Sequence, residues 1–106
     1  MTTTPNAETL YLNDLIQYQA GSIVSRVIIK SESGNVTLFA FDAGQELSEH
    51  SAPYDALVQI LDGEAEIRIS GESFTLEKGQ IIIMPADDPH AVLAPTRFKM
   101  LLTMIK

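Results

Sequence analysis

The chain has 106 residues, of which 45% are hydrophobic and 20% charged, and it carries a net charge of −7 with no cysteine. That length supports one hydrophobic core rather than two, and the lack of cysteine excludes disulfides, thiolate nucleophiles and cysteine-held metals. Asp42, Glu46, Glu49, Asp55, Asp62, Glu64 and Glu66 occur with no lysine or arginine among them, which favours solubility and repels phosphate backbones and anionic lipid, so neither nucleic acid nor membrane is an expected partner.

Residues 1–12 read as a flexible polar segment ahead of a single domain at residues 13–106. The first ten residues lack the basic and apolar regions of a secretory leader, and no apolar run approaches the ~20 residues of a membrane span; the expected compartment is the cytoplasm. Asn13 is expected to cap a short helical turn through Asp14, Leu15 and Ile16, ended by Gly21. From Ser22 onward the pattern is β. Residues 23–30 are rich in β-branched side chains, and residues 31–35 form a turn cluster around Gly34. In residues 36–42, Val36, Leu38 and Ala40 alternate with Thr37, Phe39 and Phe41. Ala43 and Gly44 turn the chain. Residues 57–61 are a short apolar strand that Asp62-Gly63 is expected to stop as a hairpin. In residues 64–70, Ala65, Ile67 and Ile69 point inward and Glu64, Glu66 and Arg68 outward. Gly71 turns again, and residues 73–76, 81–84, 90–94 and 98–105 are the remaining strands, with a loop at residues 85–89. Short strands at spacings of about ten residues predict an all-β antiparallel sandwich or barrel.

Two histidines are the main candidates for chemistry. His50 lies in or beside a strand and His90 opens one, and neutral imidazole is a common ligand for transition metals. Read alone, two histidines are a weak signal and read first as unrelated surface or loop residues. The spacing around them resembles the two motifs of the cupin family. Gly44, His50 and Gly63 fit the first motif, whose second histidine and glutamate slots fall on Ala52 and Ala56. Gly79, Pro85 and His90 fit the second, where Asp87 stands in a glycine slot and Ala94 in an asparagine slot. The resemblance is to a small single-domain cupin of the conserved-barrel type. It implies a double-stranded β-helix, or jelly-roll barrel, of the RmlC-like kind.

Complete sites of that family hold a divalent metal with three histidines and a glutamate. Here His50 and His90 remain as metal ligands, and the expected ion is Ni, Mn, Fe or Zn, weakly held because alanine donates no electron pair. Period-two alternation puts Glu46 and Ser48 on the face of His50, so Glu46 is a candidate extra ligand. Asp55 is another if a bulge beside Pro53 turns it inward. The small side chains at Ala52, Ala56 and Ala94 make space, and Val58, Ile60, Met84 and Val92 join them as the expected lining of an apolar pocket for a small molecule. The alternative is that Phe39, Phe41, Phe98 or Met100 fills that space.

Residues 100–102 are apolar on both faces, and Leu57 and Leu61 oppose Val58 and Ile60. Strands apolar on both sides are covered on both sides, which predicts a homodimer unless local packing covers them. No P-loop, Rossmann glycine run or nucleophile elbow occurs. Two functions follow: a small-ligand-binding barrel with a partly degenerate metal site, or a metal-dependent enzyme of dioxygenase or isomerase kind. A metal-free variant of the second uses His50 or His90 as a general base.

Overall fold

The computed structural model describes residues 4–106; residues 1–3 of the expected flexible segment lie outside it. After a 3-10 turn at Leu12–Leu15 come eight strands: β1 (Ile23–Ser31), β2 (Gly34–Phe41), β3 (Glu46–His50), β4 (Asp55–Ile69), β5 (Glu72–Glu77), β6 (Ile81–Met84), β7 (His90–Leu93) and β8 (Phe98–Ile105). Every pairing is antiparallel. One sheet has the order β1-β2-β8-β4-β6, using the first part of β4. The other has the order β5-β4-β7-β3, using the last part of β4. The result is a curled all-β jelly roll in which β4 belongs to both leaves.

The expected hairpin at Asp62-Gly63 is corrected: β4 runs through these residues as one 15-residue strand. Ile60 pairs with Met100 and Asp62 with Lys99, so Leu61 is an extra residue opposite β8. Gly63 follows with φ +72, opposite Phe98. An Asp-Gly pair with a left-handed glycine suits a tight turn and a β-bulge alike, and here it bends the strand from one sheet into the other. A two-residue hairpin lies instead at Ser70-Gly71, where φ values of +50 and +84 match a type I′ turn between Ile69 and Glu72.

Alternation then divides the side chains between two apolar layers. Between the sheets lie Phe41, Val58, Ile60, Ile67, Val92, Phe98 and Met100, with the Phe41 and Phe98 rings stacked at 4.5 Å. A second layer forms on the outer face of the β1-β2-β8-β4 sheet. There Ile16 seats on Leu38, Ala40 and Leu61, flanked by Leu12, Leu15, Tyr18 and Leu101. The bulge turns Leu61 toward this layer. The N-terminal segment is therefore the local cover for Leu61 and Leu101. It is tied down by Lys99 Nζ donating to Asn13 O at 2.8 Å and by the Tyr18 hydroxyl donating to Asp62. Asn13 is not the cap it was expected to be: the turn starts at Leu12, its N-cap position is Tyr11, and no side chain caps it. The segment joins β1 through Asp42, which accepts from Arg97 Nε and Gly21 N, each at 2.7 Å. The Arg97 bond, followed by the Gly21 bond, holds the Asp42 carboxyl below the usual carboxylate range.

Candidate functional site

Two corner loops, residues 51–54 and 85–89, carry the chain between the sheets at one end of the barrel. They are joined by Asp87 N–H donating to Ala52 O at 2.7 Å and Ala86 N–H donating to Asp55 Oδ1 at 2.9 Å. His50 ends β3 just before the first loop, and His90 opens β7 just after the second. The two residues are paired across the strands. Their rings meet edge to face with centroids 4.4 Å apart, and the two Nε2 atoms are 3.2 Å apart. His90 is buried, at 7% exposure, while His50 is exposed. The pair thus sits at the mouth, one ring inside and one at the rim.

A bulge in β3 brings His50 to this face. Leu47 pairs with Val92 and His50 with His90, so three steps along β3 match two along β7. Leu47 and His50 consequently share the inner face with Val92 and His90, although their spacing is odd. Glu46, paired with Leu93, is turned to the outer face, where it borders a hollow with Glu66 and Leu93. The expectation that Glu46 shares the face of His50 is corrected, because one extra residue reverses strand parity. Asp55 keeps its outward parity and spends an oxygen on the Ala86 N–H.

Backbone carbonyls orient both rings. His50 Nδ1 lies 2.9 Å from Ser48 O and His90 Nδ1 3.3 Å from Asp88 O. A carbonyl only accepts, so an Nδ1 that keeps its bond carries the proton and leaves its Nε2 as a lone pair. With both bonds kept, two lone pairs face each other. A shared proton or another cation resolves that arrangement; otherwise His90 gives up its longer bond and donates through Nε2. Sequence reasoning had no signal for Ser48 and Asp88, because they act through main-chain oxygens.

Residues 37–106 match the sequence profile of the cupin domain. The chain belongs to the cupin family. The cupin is 38% identical to a conserved Streptococcus pyogenes protein of unknown function, over 100% of this chain and 96% of that one, with a TM-score of 0.91. It is 28% identical to an RmlC-like cupin protein from Desulfovibrio desulfuricans, over 92% and 95% of the two chains, with a TM-score of 0.81. A Streptomyces cyaneus protein named polyketide synthase CurC is 30% identical over 65% of this chain, and the cupin spans 46% of that relative's length.

The family implies a metal, and the two imidazoles suit one in part. His50 and His90 would hold it through their adjacent Nε2 atoms, and a bound divalent ion would supply Lewis acidity there. The rest of the donor set does not fit. Ala52 and Ala56 stand in the other ligand slots, and among the described residues no group of three His, Asp or Glu side chains is placed to hold an ion.

The expected apolar pocket is also corrected. Val58, Ile60 and Val92 are 0%, 1% and 2% exposed, so no water-sized space touches the first and almost none the other two. Met84 and Ala56 are buried in the same core, which the Phe41–Phe98 stack and Met100 fill. Ala52 is half-buried in the corner loop. The exposed part of the site is the His50 ring, not the barrel interior.

Burial, then the neighbouring His50 charge, holds the His90 pKa below the ordinary histidine value of 6.5. The unfolded chain therefore binds a proton at this residue before the folded chain does. The resulting stability is complete above pH ~6.5 and is lost as pH falls through the lowered folded value. Thermal melts at pH 7.5 and 5 should show the cupin losing stability on acidification, and His90→Gln should flatten that slope. An equal slope in the variant would assign it to other groups.

Proposed function

We propose that this cupin binds a small organic ligand at the barrel mouth, with His50 and His90 as its polar anchor. The observation that supports this is the pair of Nε2 atoms 3.2 Å apart, each ring held from behind by a carbonyl. With both Nδ1 bonds kept, two adjacent acceptors suit a ligand that presents two donors, approaching from the side of the exposed His50. The filled interior confines the ligand to the surface of the mouth. The relative named as a polyketide synthase is compatible with small organic chemistry. Catechol, with two adjacent hydroxyls, is a suitable probe. Its titration should move the ¹⁵N signals of both imidazoles, and His50→Gln or His90→Gln should weaken binding about ten-fold, the worth of one hydrogen bond. Shifts confined to other residues would sink the proposal.

The second reading is a metal-dependent enzyme of dioxygenase or isomerase kind, with His50 and His90 holding Ni, Mn, Fe or Zn. The chelating separation of the two nitrogens favours it. Stoichiometric metal in cupin purified without chelator or affinity tag would select this reading, and metal-free protein would select the first. The cysteine-free composition fits a cytoplasmic protein.

A homodimer is proposed as the working form. Ile81, Ile83, Ile29 and Ile105 are 58%, 60%, 62% and 65% exposed. The register Ile83–Leu57–Thr103–Val36–Ile29 crosses five strands of the outer face beyond the N-terminal cover. The four isoleucines alone offer roughly 450 Å² of apolar surface, the size of the largest patch on a typical monomer, which is often functional. With their half-buried neighbours this approaches the ~800 Å² per partner of a standard interface. Sedimentation should give a dimer at micromolar concentration, and Ile29→Lys with Ile83→Lys a monomer. A monomeric wild type would refute it.

A further inference from the structure

A second hollow, of about 700 Å³, lies between the N-terminal segment at residues 15–19 and β1 at residues 24–27. That volume is ordinary for a small-molecule site. Leu15, Ile16, Val24 and the Tyr18 ring give it apolar walls, and Arg26 lies in its lining. Arg26 projects from the outer face of β1, where its backbone partner is Leu38. One of its terminal nitrogens, Nη1, donates to Leu15 O at 3.0 Å. Its Nε is buried and has no hydrogen-bond partner. The ion pairs among the described residues are Arg68–Glu66 and Arg97–Asp42, and Arg26 belongs to neither.

This arrangement is unusual for the chain that holds it. Fourteen acidic residues are available, yet none lines this hollow. A guanidinium has five N–H donors in a planar fork; the Arg26 Nε is closed to solvent and out of a ligand's reach, and the terminal N–H groups beyond the Leu15 bond are the ones a ligand meets. The group that matches them is a carboxylate, bound through two parallel hydrogen bonds to the terminal nitrogens. The apolar walls beside it suit a short hydrocarbon or aromatic body. We propose that the hollow binds a small amphipathic carboxylate, whose acid group pairs with Arg26 and whose body lies against Leu15, Ile16, Val24 and Tyr18. This site is separate from the histidine pair and does not depend on it.

Octanoate is the probe, and 1-octanol, with the same chain and no charge, is the control. Both are titrated into the full chain and followed by backbone amide ¹⁵N shifts. Octanoate should move the amides of residues 15–19 and 24–27 and bind at least ten-fold more tightly than octanol. Arg26→Gln should abolish that preference, and Arg26→Lys, which keeps the charge but loses the fork, should keep only part of it. The comparison of acid and alcohol in the wild type stands even if a variant fails to fold. Equal binding of the two probes, no binding of octanoate, or shifts centred on the isoleucine face or the histidines would overturn the proposal. So would an Arg26→Gln variant that turns a dimer into a monomer while octanoate leaves the wild type unchanged, because the missing anion would then belong to a second copy of the chain.

Discussion

Replacing Gly63 by alanine should destabilise the cupin by on the order of 3 kcal/mol, a loss in the upper range for single substitutions. Two independent costs add there. The residue has φ +72, a left-handed conformation that a β-carbon disfavours by roughly 1 kcal/mol or more. A β-carbon at this position would also stand 1.9 Å from Arg97 O and 2.9 Å from the Phe98 Cα. Those are backbone atoms at the start of β8 and cannot swing aside. Relief would require moving β8 away from β4, which disturbs the bulge at Leu61 and the buried Phe98 beneath it. At about 4–8 °C per kcal/mol for a domain near this size, the melting temperature should fall by roughly 12–24 °C. Gly71→Ala is the control: its φ is +84, but nothing lies within 4 Å of the added carbon. Its cost should stay near 1 kcal/mol, the conformational part alone. Matching losses in the two variants would mean that the close approach at Gly63 is not what constrains the crossing.

Gly63 also marks where the fold stopped being legible from sequence. Alternation identified the strands well, because Ala65, Ile67 and Ile69 face the core while their neighbours face out. It did not tell a turn from a bulge at Asp62-Gly63, since both need the same left-handed glycine and differ only in what pairs beyond it. The β3 bulge had still less signal. Residues 47–50 have no glycine or proline, yet one extra residue there exchanged the faces of Glu46 and His50. The spacing that likened the chain to cupins singled out His50 and His90, which meet at the mouth. What lay between the motif positions was not readable, because the filling of the barrel depends on Phe41 and Phe98 stacking across strands far apart in sequence. The second apolar face was readable, but its cover was not: Ile16 takes one part through the chain's own N-terminal segment, and the isoleucines remain open.

The largest gain of function is expected from Ala52→His combined with Ala56→Glu. Ala56 is buried at 4% exposure on the inner face of β4, with Met84 and Met104 as its backbone neighbours across the flanking strands. Ala52 sits in the corner loop two residues beyond His50, and its carbonyl is already fixed by Asp87 N–H. The cupin motif places the missing histidine and glutamate at these two positions. Wild-type protein should hold nickel or manganese weakly, since two imidazoles leave most of the ion's positions to water. Four-donor zinc sites bind with about 10–16 kcal/mol, roughly 3 kcal/mol per donor, so two added donors should tighten binding by at least ~10⁴-fold. The ligands must lose protons to bind, and affinity in the double variant should rise with pH. Without metal, the introduced side chain at position 56 would be a carboxylate among Met84, Met104 and the barrel core. Burying it unpaired costs several kcal/mol or forces it to protonate, so the apo variant should melt below wild type and recover when metal is added. The two readouts check each other. Tighter binding without apo destabilisation would put the new carboxylate at the surface, and apo destabilisation without tighter binding would put it in the core but out of reach of the histidines. Equal affinity and equal melting in variant and wild type would remove both positions from the site, and with them the assignment of the first motif.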